Sequence, residues 1–141
     1  MKHDKARLFL VSCLAICAAG VASSLRANTA ADLQRIFLDP IDKAHSAEKI
    51  ANILGVPFLG FAITIAISSP LLDVIGMGVL LPLSGVLLSV GTLLMMFAGS
   101  LSSGAGVYDV LWYGAVVAGI GWGLVETVMN PLIAALYPDD K

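Results

Sequence analysis

Charged side chains are almost absent from three long stretches of this chain. None occurs within 50–72 or 74–108, and the stretch 110–138 contains only Glu126. A helix that crosses a bilayer needs about 20 mostly apolar residues. The three stretches therefore hold one span, one span with a loop, and one further span. An apolar segment over 8–25 adds another span near the N-terminus.

The composition supports a membrane protein and excludes other classes. The chain is 58% hydrophobic and 13% charged, whereas soluble domains carry about 25% charged residues. Its apolar content is too high for a disordered chain, and a net charge of -2 gives no basic patch for nucleic acid. We expect an all-α integral membrane protein in contact with the lipid bilayer, with one transmembrane region over 1–141 and helices at about 8–27, 50–71, 77–99 and 108–136.

The residues before the first span indicate its orientation. Lys2, Lys5 and Arg7 favour a cytoplasmic N-terminus, and four spans return the C-terminus to the same side. This predicts a multi-pass protein of the cell (inner) membrane with both termini cytoplasmic. The same basic start also resembles a signal peptide, whose removal would leave three spans. In the outer loop, an amphipathic stretch over 30–38 is expected to end at Pro40, because proline disfavours helix in the residue before it.

Glu126 is the charged residue inside the fourth span. It precedes Tyr137 by 11 residues, which is about 16 Å along a helix and near the bilayer midplane. An ionisable side chain at this depth costs about 3 kcal/mol on insertion scales, so it normally faces a cavity or a partner. A carboxyl group there that gains and loses a proton would suit a proton-coupled carrier.

The fourth helix places polar, small and aromatic residues on one face. Six residues fall within about 60° of arc at 100° per residue: Trp112, Gly119, Gly123, Glu126, Asn130 and Tyr137. We predict that this face lines the path of a small polar solute. Pro131 removes the bond to the Thr127 carbonyl and is expected to bend the helix. The alternative is that Glu126 pairs with another buried polar group and that the glycines only pack against helices.

The first helix carries a second polar stripe, formed at helical spacing by Cys13, Cys17, Gly20 and Ser24. Ser24 joins the predicted solute path. The two cysteines lack companion ligands for zinc, so neither a metal nor a cofactor is predicted. Arg26 lies about 140° from this stripe and is expected to extend to the headgroups, with binding of substrate as the alternative.

A short inner loop over 68–76 joins the second and third spans. Asp73 is expected at the start of the third helix, where the helix dipole favours an acid, as a cap or as a gating charge. The loop pattern resembles the major facilitator superfamily signature G-x-L-x-D-x-x-G: it is Ser69-x-Leu71-x-Asp73-x-x-Gly76. Met77 and Gly78 stand where that signature continues with basic residues.

The fourth helix extends this resemblance. Its segment is similar to the G-x-G-x-x-E-T-x-x-N-P stretch of the fucose-permease-like sugar:proton symporters: it is Gly121-Trp122-Gly123-Leu124-Val125-Glu126-Thr127-Val128-Met129-Asn130-Pro131. The resemblance implies that Glu126 is protonated and deprotonated during transport, and that the first and the fourth membrane span line the solute cavity. The first helix of that branch carries an Asn-Asp pair, at whose positions this chain has Arg26 and Ala27.

Members of that family have twelve spans in two six-helix halves, with the solute site between the halves. The resemblance therefore implies that this chain is the N-terminal part of a secondary active transporter. It predicts proton-coupled movement of a small polar solute such as a sugar, with the remaining helices or a partner chain completing the protein. The alternatives are a self-contained four-helix oligomeric transporter and a non-transporting membrane subunit. An enzyme is not expected, since no intramembrane nucleophile–base pair is visible.

Overall fold

The computed structural model of this chain describes residues 5–136, so Lys2 and Tyr137 lie outside the described part. Within that range there is no strand, and the helices occur in this order: α1 (Lys5–Leu33), a π-helical turn (Gln34–Leu38), α2 (Asp39–Asp42), α3 (Ser46–Ile75), α4 (Met77–Met96), α5 (Ala98–Leu101) and α6 (Gly106–Leu136). The predicted all-α fold is confirmed.

Four of these helices are long and apolar enough to cross a membrane: α1 with its continuation to Asp42, α3, α4 and α6. Each overlaps one of the four predicted spans, and together they are compatible with a multi-pass membrane protein. α1 with its continuation extends to Asp42, well beyond the predicted limit of 27. α3 extends four residues beyond the predicted 50–71 at each end, and α4 ends three residues before the predicted limit of 99. α6 has 31 residues, about 46 Å of helix, so its ends extend beyond a hydrocarbon core of about 30 Å.

The expectation that Pro40 ends the outer helical segment is wrong. The chain stays helical through the π-helical turn and α2, so the outer connection is only residues 43–45. Pro40 lies in the first turn of α2, directly after Asp39, whose N–H donates to the Gln34 carbonyl of the π turn. The wider π turn before it changes the hydrogen-bond register, as single π turns do inside longer helices.

The connection between α3 and α4 is also shorter than predicted. It consists of Gly76 alone, with a φ of 83° that suits glycine because a Cβ would be strained there. Asp73 therefore lies in the last turn of α3 instead of at the start of the next helix, which corrects the expected favourable dipole position. At a helix C-terminus an acid is disfavoured by the dipole, by about 0.3–1 kcal/mol.

The last helix lies at the centre of the bundle. α6 packs mainly between α3 and α4 and also contacts α1. Its close contacts are made by glycines: a Cβ on Gly91 of α4 would lie 2.6 Å from the Gly114 carbonyl oxygen of α6. Between apolar helices in lipid, such small residues let the backbones approach, and dispersion contacts then hold the helices together.

Two apolar clusters join the helices at different depths. The first cluster includes Leu38 of the π turn, Ile53 of α3, Met95 of α4 and Leu111 of α6. The second cluster joins Leu80 of α4 to the second half of α6. The first cluster brings the π turn against three helices, and the second cluster surrounds the part of α6 that contains Glu126.

Candidate functional site

Glu126 keeps partial exposure in a part of α6 that is otherwise buried. It lies ten residues before Leu136, about 15 Å along the helix axis. Between positions 114 and 129 the residues that are not fully buried are Val116, Val117, Ile120, Trp122 and Glu126. Glu126 is the polar member of this set. The bundle therefore leaves this carboxylate accessible from one side while its neighbours are enclosed.

Asn130 lies one turn further along the same face, as predicted. Its Nδ2 donates a hydrogen bond to Oε2 of Glu126 at 3.1 Å. This bond offsets part of the cost of holding a polar side chain in an apolar layer. It also orients the carboxylate, leaving its other oxygen available to a further donor.

Pro131 follows within α6, which continues as a helix to Leu136. Because proline has no N–H, the Thr127 carbonyl loses its usual partner one turn earlier. The predicted bend at this position stays a prediction.

A buried polar contact that sequence reasoning missed lies next to Glu126. The hydroxyls of Ser68 in α3 and Thr127 in α6 are 2.7 Å apart. Each hydroxyl also lies within bonding distance of a carbonyl one turn back on its own helix, at 2.6 Å for Ser68 and 2.9 Å for Thr127. Each hydroxyl has only one proton. The hydroxyl that donates across the interface therefore cannot also donate to the carbonyl on its own helix. No sequence signal pairs two residues 59 positions apart.

We predict that this hydroxyl pair couples α3 to α6. Changing Ser68→Ala, Thr127→Val and both together should give a coupling energy of about 0.6 kcal/mol, the average for polar pairs in membrane bundles. Unfolding of the purified chain in mixed micelles would measure the cycle. Ser89→Ala is the matched control, because that exposed hydroxyl bonds only the Gly85 carbonyl of its own helix. Strictly additive effects of the two changes would contradict the pairing.

Gly119 and Gly123 were predicted to line the solute path, but both face α3. A Cβ on Gly119 would overlap the Pro57 carbonyl oxygen, and one on Gly123 would lie 2.8 Å from the Thr64 side chain. Both positions are therefore filled by the neighbouring helix, which is the packing alternative considered for these glycines. They hold α6 against α3 on the side next to Glu126.

Trp112 lies in a different environment from Glu126. It lines an apolar groove of about 460 Å³ between α3 and α6, with Val116 and Ile120 further along α6. Glu126 does not border this groove. A shared angular position could not predict this separation, because 14 residues place the two side chains about 21 Å apart along the axis. The aromatic residue one turn from Glu126 is Trp122, which packs on Phe61 at 4.7 Å between ring centres.

Arg26 is half-buried on α1, and its expected extension to the headgroups stays a prediction. Its Nη1 atom is completely buried and has no hydrogen-bond partner among the described residues. The side chain borders a cavity of about 100 Å³ against Pro57 of α3 and another of about 370 Å³ against α4. Part of the guanidinium therefore lies between helices, and the alternative that Arg26 binds substrate also stays a prediction.

The remaining candidate residues are on the surface or in the connections. Ser24 is exposed on α1. Asp73 is exposed in the last turn of α3, and the ion pairs within residues 5–136 involve Asp42 instead. Gly76 forms the connection already described. The predicted gate charge therefore lies beside the connection without a basic partner in the described part of the chain.

Comparisons with known proteins give no relative. No family model, no curated protein and no solved structure matches this chain.

Proposed function

We propose that this chain forms the first four helices of a proton-coupled secondary transporter of the major facilitator type, in its fucose-permease-like branch. The transported compound is a small polar solute. Glu126 takes up and releases the proton, and Asn130 holds its carboxylate. The observation that carries this proposal is the accessible Glu126–Asn130 pair, bonded at 3.1 Å in the inner half of the central helix.

The surroundings of this pair support a role beyond structure. A carboxylate inside a span is costly and is usually kept for a proton, an ion or a substrate. The bond from Asn130 satisfies one oxygen only, and partial exposure leaves a route for a proton. Pro131 cannot donate a backbone hydrogen bond to the Thr127 carbonyl, which gives α6 a weak point beside the acid. Discontinuous helices of transporters commonly bind and move at such points.

Four helices do not make a complete alternating-access transporter, because one repeat or bundle has to move against another around the site. The proposal therefore includes further helices, supplied downstream of Lys141 or by a partner chain. The exposed apolar side chains along α3, such as Leu59, Ile63 and Ile67, and the adjoining groove would face those helices or lipid. The proposal places the protein in the cell (inner) membrane, with both termini on the cytoplasmic side.

Uptake into vesicles tests this function directly. The chain, with the helices encoded downstream of it, would be reconstituted and supplied with a panel of labelled sugars and sugar acids. An inward proton gradient should drive accumulation of one class, and a protonophore should reduce it to equilibration. Accumulation that persists with the protonophore would contradict proton coupling. Transport by the 141-residue chain alone as a crosslinkable dimer or tetramer would favour the self-contained oligomer instead.

A further inference from the structure

We propose that Arg26 binds the carboxylate of the transported solute, and that this solute is a small hydroxy acid instead of a neutral sugar. The inference rests on the proposed transport function and names its substrate class. Its basis is a half-buried arginine whose Nη1 atom is enclosed and has no hydrogen-bond partner among residues 5–136, placed beside two cavities and accompanied by hydroxyl groups.

The positive charge of the Arg26 guanidinium requires a compensating anion. An arginine guanidinium stays protonated in proteins, so it cannot become neutral to escape burial. A buried charge without a partner is strongly unfavourable, and Nη1 of Arg26 has no partner in the range 5–136. A carboxylate satisfies this group best, because its two oxygens match two parallel N–H donors of the guanidinium.

The larger cavity beside Arg26 has the size of a small-molecule site. Its volume is about 370 Å³, within the range of about 300–1,000 Å³ typical of such sites. α1 and α4 form its walls, which are apolar except for Arg26 and the hydroxyls of Thr29 and Thr92. A few polar groups in an apolar cavity are the usual means of fixing the orientation of a bound solute.

The two threonines indicate what else the solute carries. Thr29 Oγ1 donates to the Leu25 carbonyl at 2.9 Å, and Thr92 Oγ1 donates to the Leu88 carbonyl at 2.8 Å. Each hydroxyl proton is thus engaged within its own helix, which leaves oxygen lone pairs to accept a bond. A solute that offers a carboxylate to Arg26 and O–H groups to the threonines is a hydroxy acid.

The charge balance of transport follows from these two sites. One carboxylate bound at Arg26 carries a charge of −1, and one proton bound at Glu126 carries +1. Their joint movement transfers no net charge, whereas one neutral sugar with one proton transfers +1. Transport of the hydroxy acid should therefore respond to a pH gradient and not to a membrane potential set by potassium and valinomycin.

Binding to the 141-residue chain tests the inference without transport. The chain in phosphatidylcholine nanodiscs would be titrated with glucuronate, galacturonate and glycerate, and with glucose, galactose and glycerol as their neutral counterparts. At least one acid should raise the unfolding temperature while its neutral counterpart does not. Arg26→Gln should weaken that binding at least tenfold, and Arg26→Lys should weaken it less. Arg35→Gln is the matched control, because Arg35 is an exposed arginine in the π turn.

Three outcomes would overturn the assignment. The first is that no acid in the panel binds better than its neutral counterpart. The second is that Arg26→Gln leaves acid binding unchanged. The third is that phosphatidylglycerol added to the nanodiscs gives the Arg26-dependent stabilisation in place of the solutes, which would make this a lipid headgroup site. Proton-driven uptake of a neutral sugar that depends on Glu126 would overturn the substrate class while leaving the proposed transport function intact.

Discussion

Replacing Glu126 by glutamine should abolish proton-driven accumulation of the solute and leave exchange of solute for solute in place. Glutamine keeps the size and the hydrogen-bonding capacity of the side chain, so the contact with Asn130, bonded at 3.1 Å in the parent chain, can persist. It cannot carry a proton, so the proton gradient no longer drives the cycle. Uptake into vesicles with an imposed pH gradient should then stop when the inner and outer concentrations are equal.

The control for this experiment is Glu48→Gln. Glu48 is exposed in the first turn of α3, far from the carboxylate of interest, and its loss should leave accumulation unchanged. Exchange should be measured with solute on both sides and no gradient, since that step needs no net proton movement. If Glu126→Gln still accumulates solute against its gradient, the proton is carried elsewhere and the proposal fails.

Replacing Gly119 by valine should have the largest effect on stability. A Cβ at this position would overlap the Pro57 carbonyl oxygen and would lie 2.7 Å from the Pro57 Cα. Because these are backbone atoms, they cannot move aside as a flexible side chain can. Overfilling a packed interface costs about 1–3 kcal/mol for added methyl groups, and valine adds more than one. We expect α3 and α6 to separate, with a lower unfolding temperature and a lower yield of folded protein.

Two glycines provide matched controls for this effect. Gly55 of α3 and Gly85 of α4 lie inside spans, and a Cβ on either would meet no atom within 4 Å. Changing each of them to valine should alter the unfolding temperature far less than Gly119→Val does. Gly119→Ala should give an intermediate loss. Similar losses at all three positions would show that the effect arises from helix propensity and not from contact with Pro57.

Parts of the site could be predicted because they depend on spacing within one helix. Glu126 and Asn130 are four residues apart, so they had to share a face of any helix that contains them, and the structure joins them by a hydrogen bond. Gly76 was expected in the inner connection, but the sequence did not show that it forms the whole connection. The environment of Trp112 could not be predicted either, because two residues with the same angular position around a helix can lie far apart along its axis.

Contacts between helices could not be predicted from this single sequence. Ser68 and Thr127 lie on different spans, and either hydroxyl could have bonded only its own helix, as Ser89 does. Arg26 is a similar case, because its position in the second half of α1 allowed both extension to the headgroups and contact with other helices. The choice depended on where α3 and α4 lie relative to α1, which brings Pro57 and Thr92 beside the same side chain.

The sequence by itself determined the number of helices that are long and apolar enough to cross a membrane, and their approximate limits. It could do so because charged groups are costly in hydrocarbon and every spanning backbone must be helical. Only the tertiary structure decided which faces of the helices meet, and hence that Gly119 contacts α3, that Nη1 of Arg26 is enclosed and that α6 is central. The physical reason is that lipid chains are as apolar as leucine. Hydropathy therefore separates membrane from water but does not distinguish a helix face that contacts lipid from one that contacts another helix.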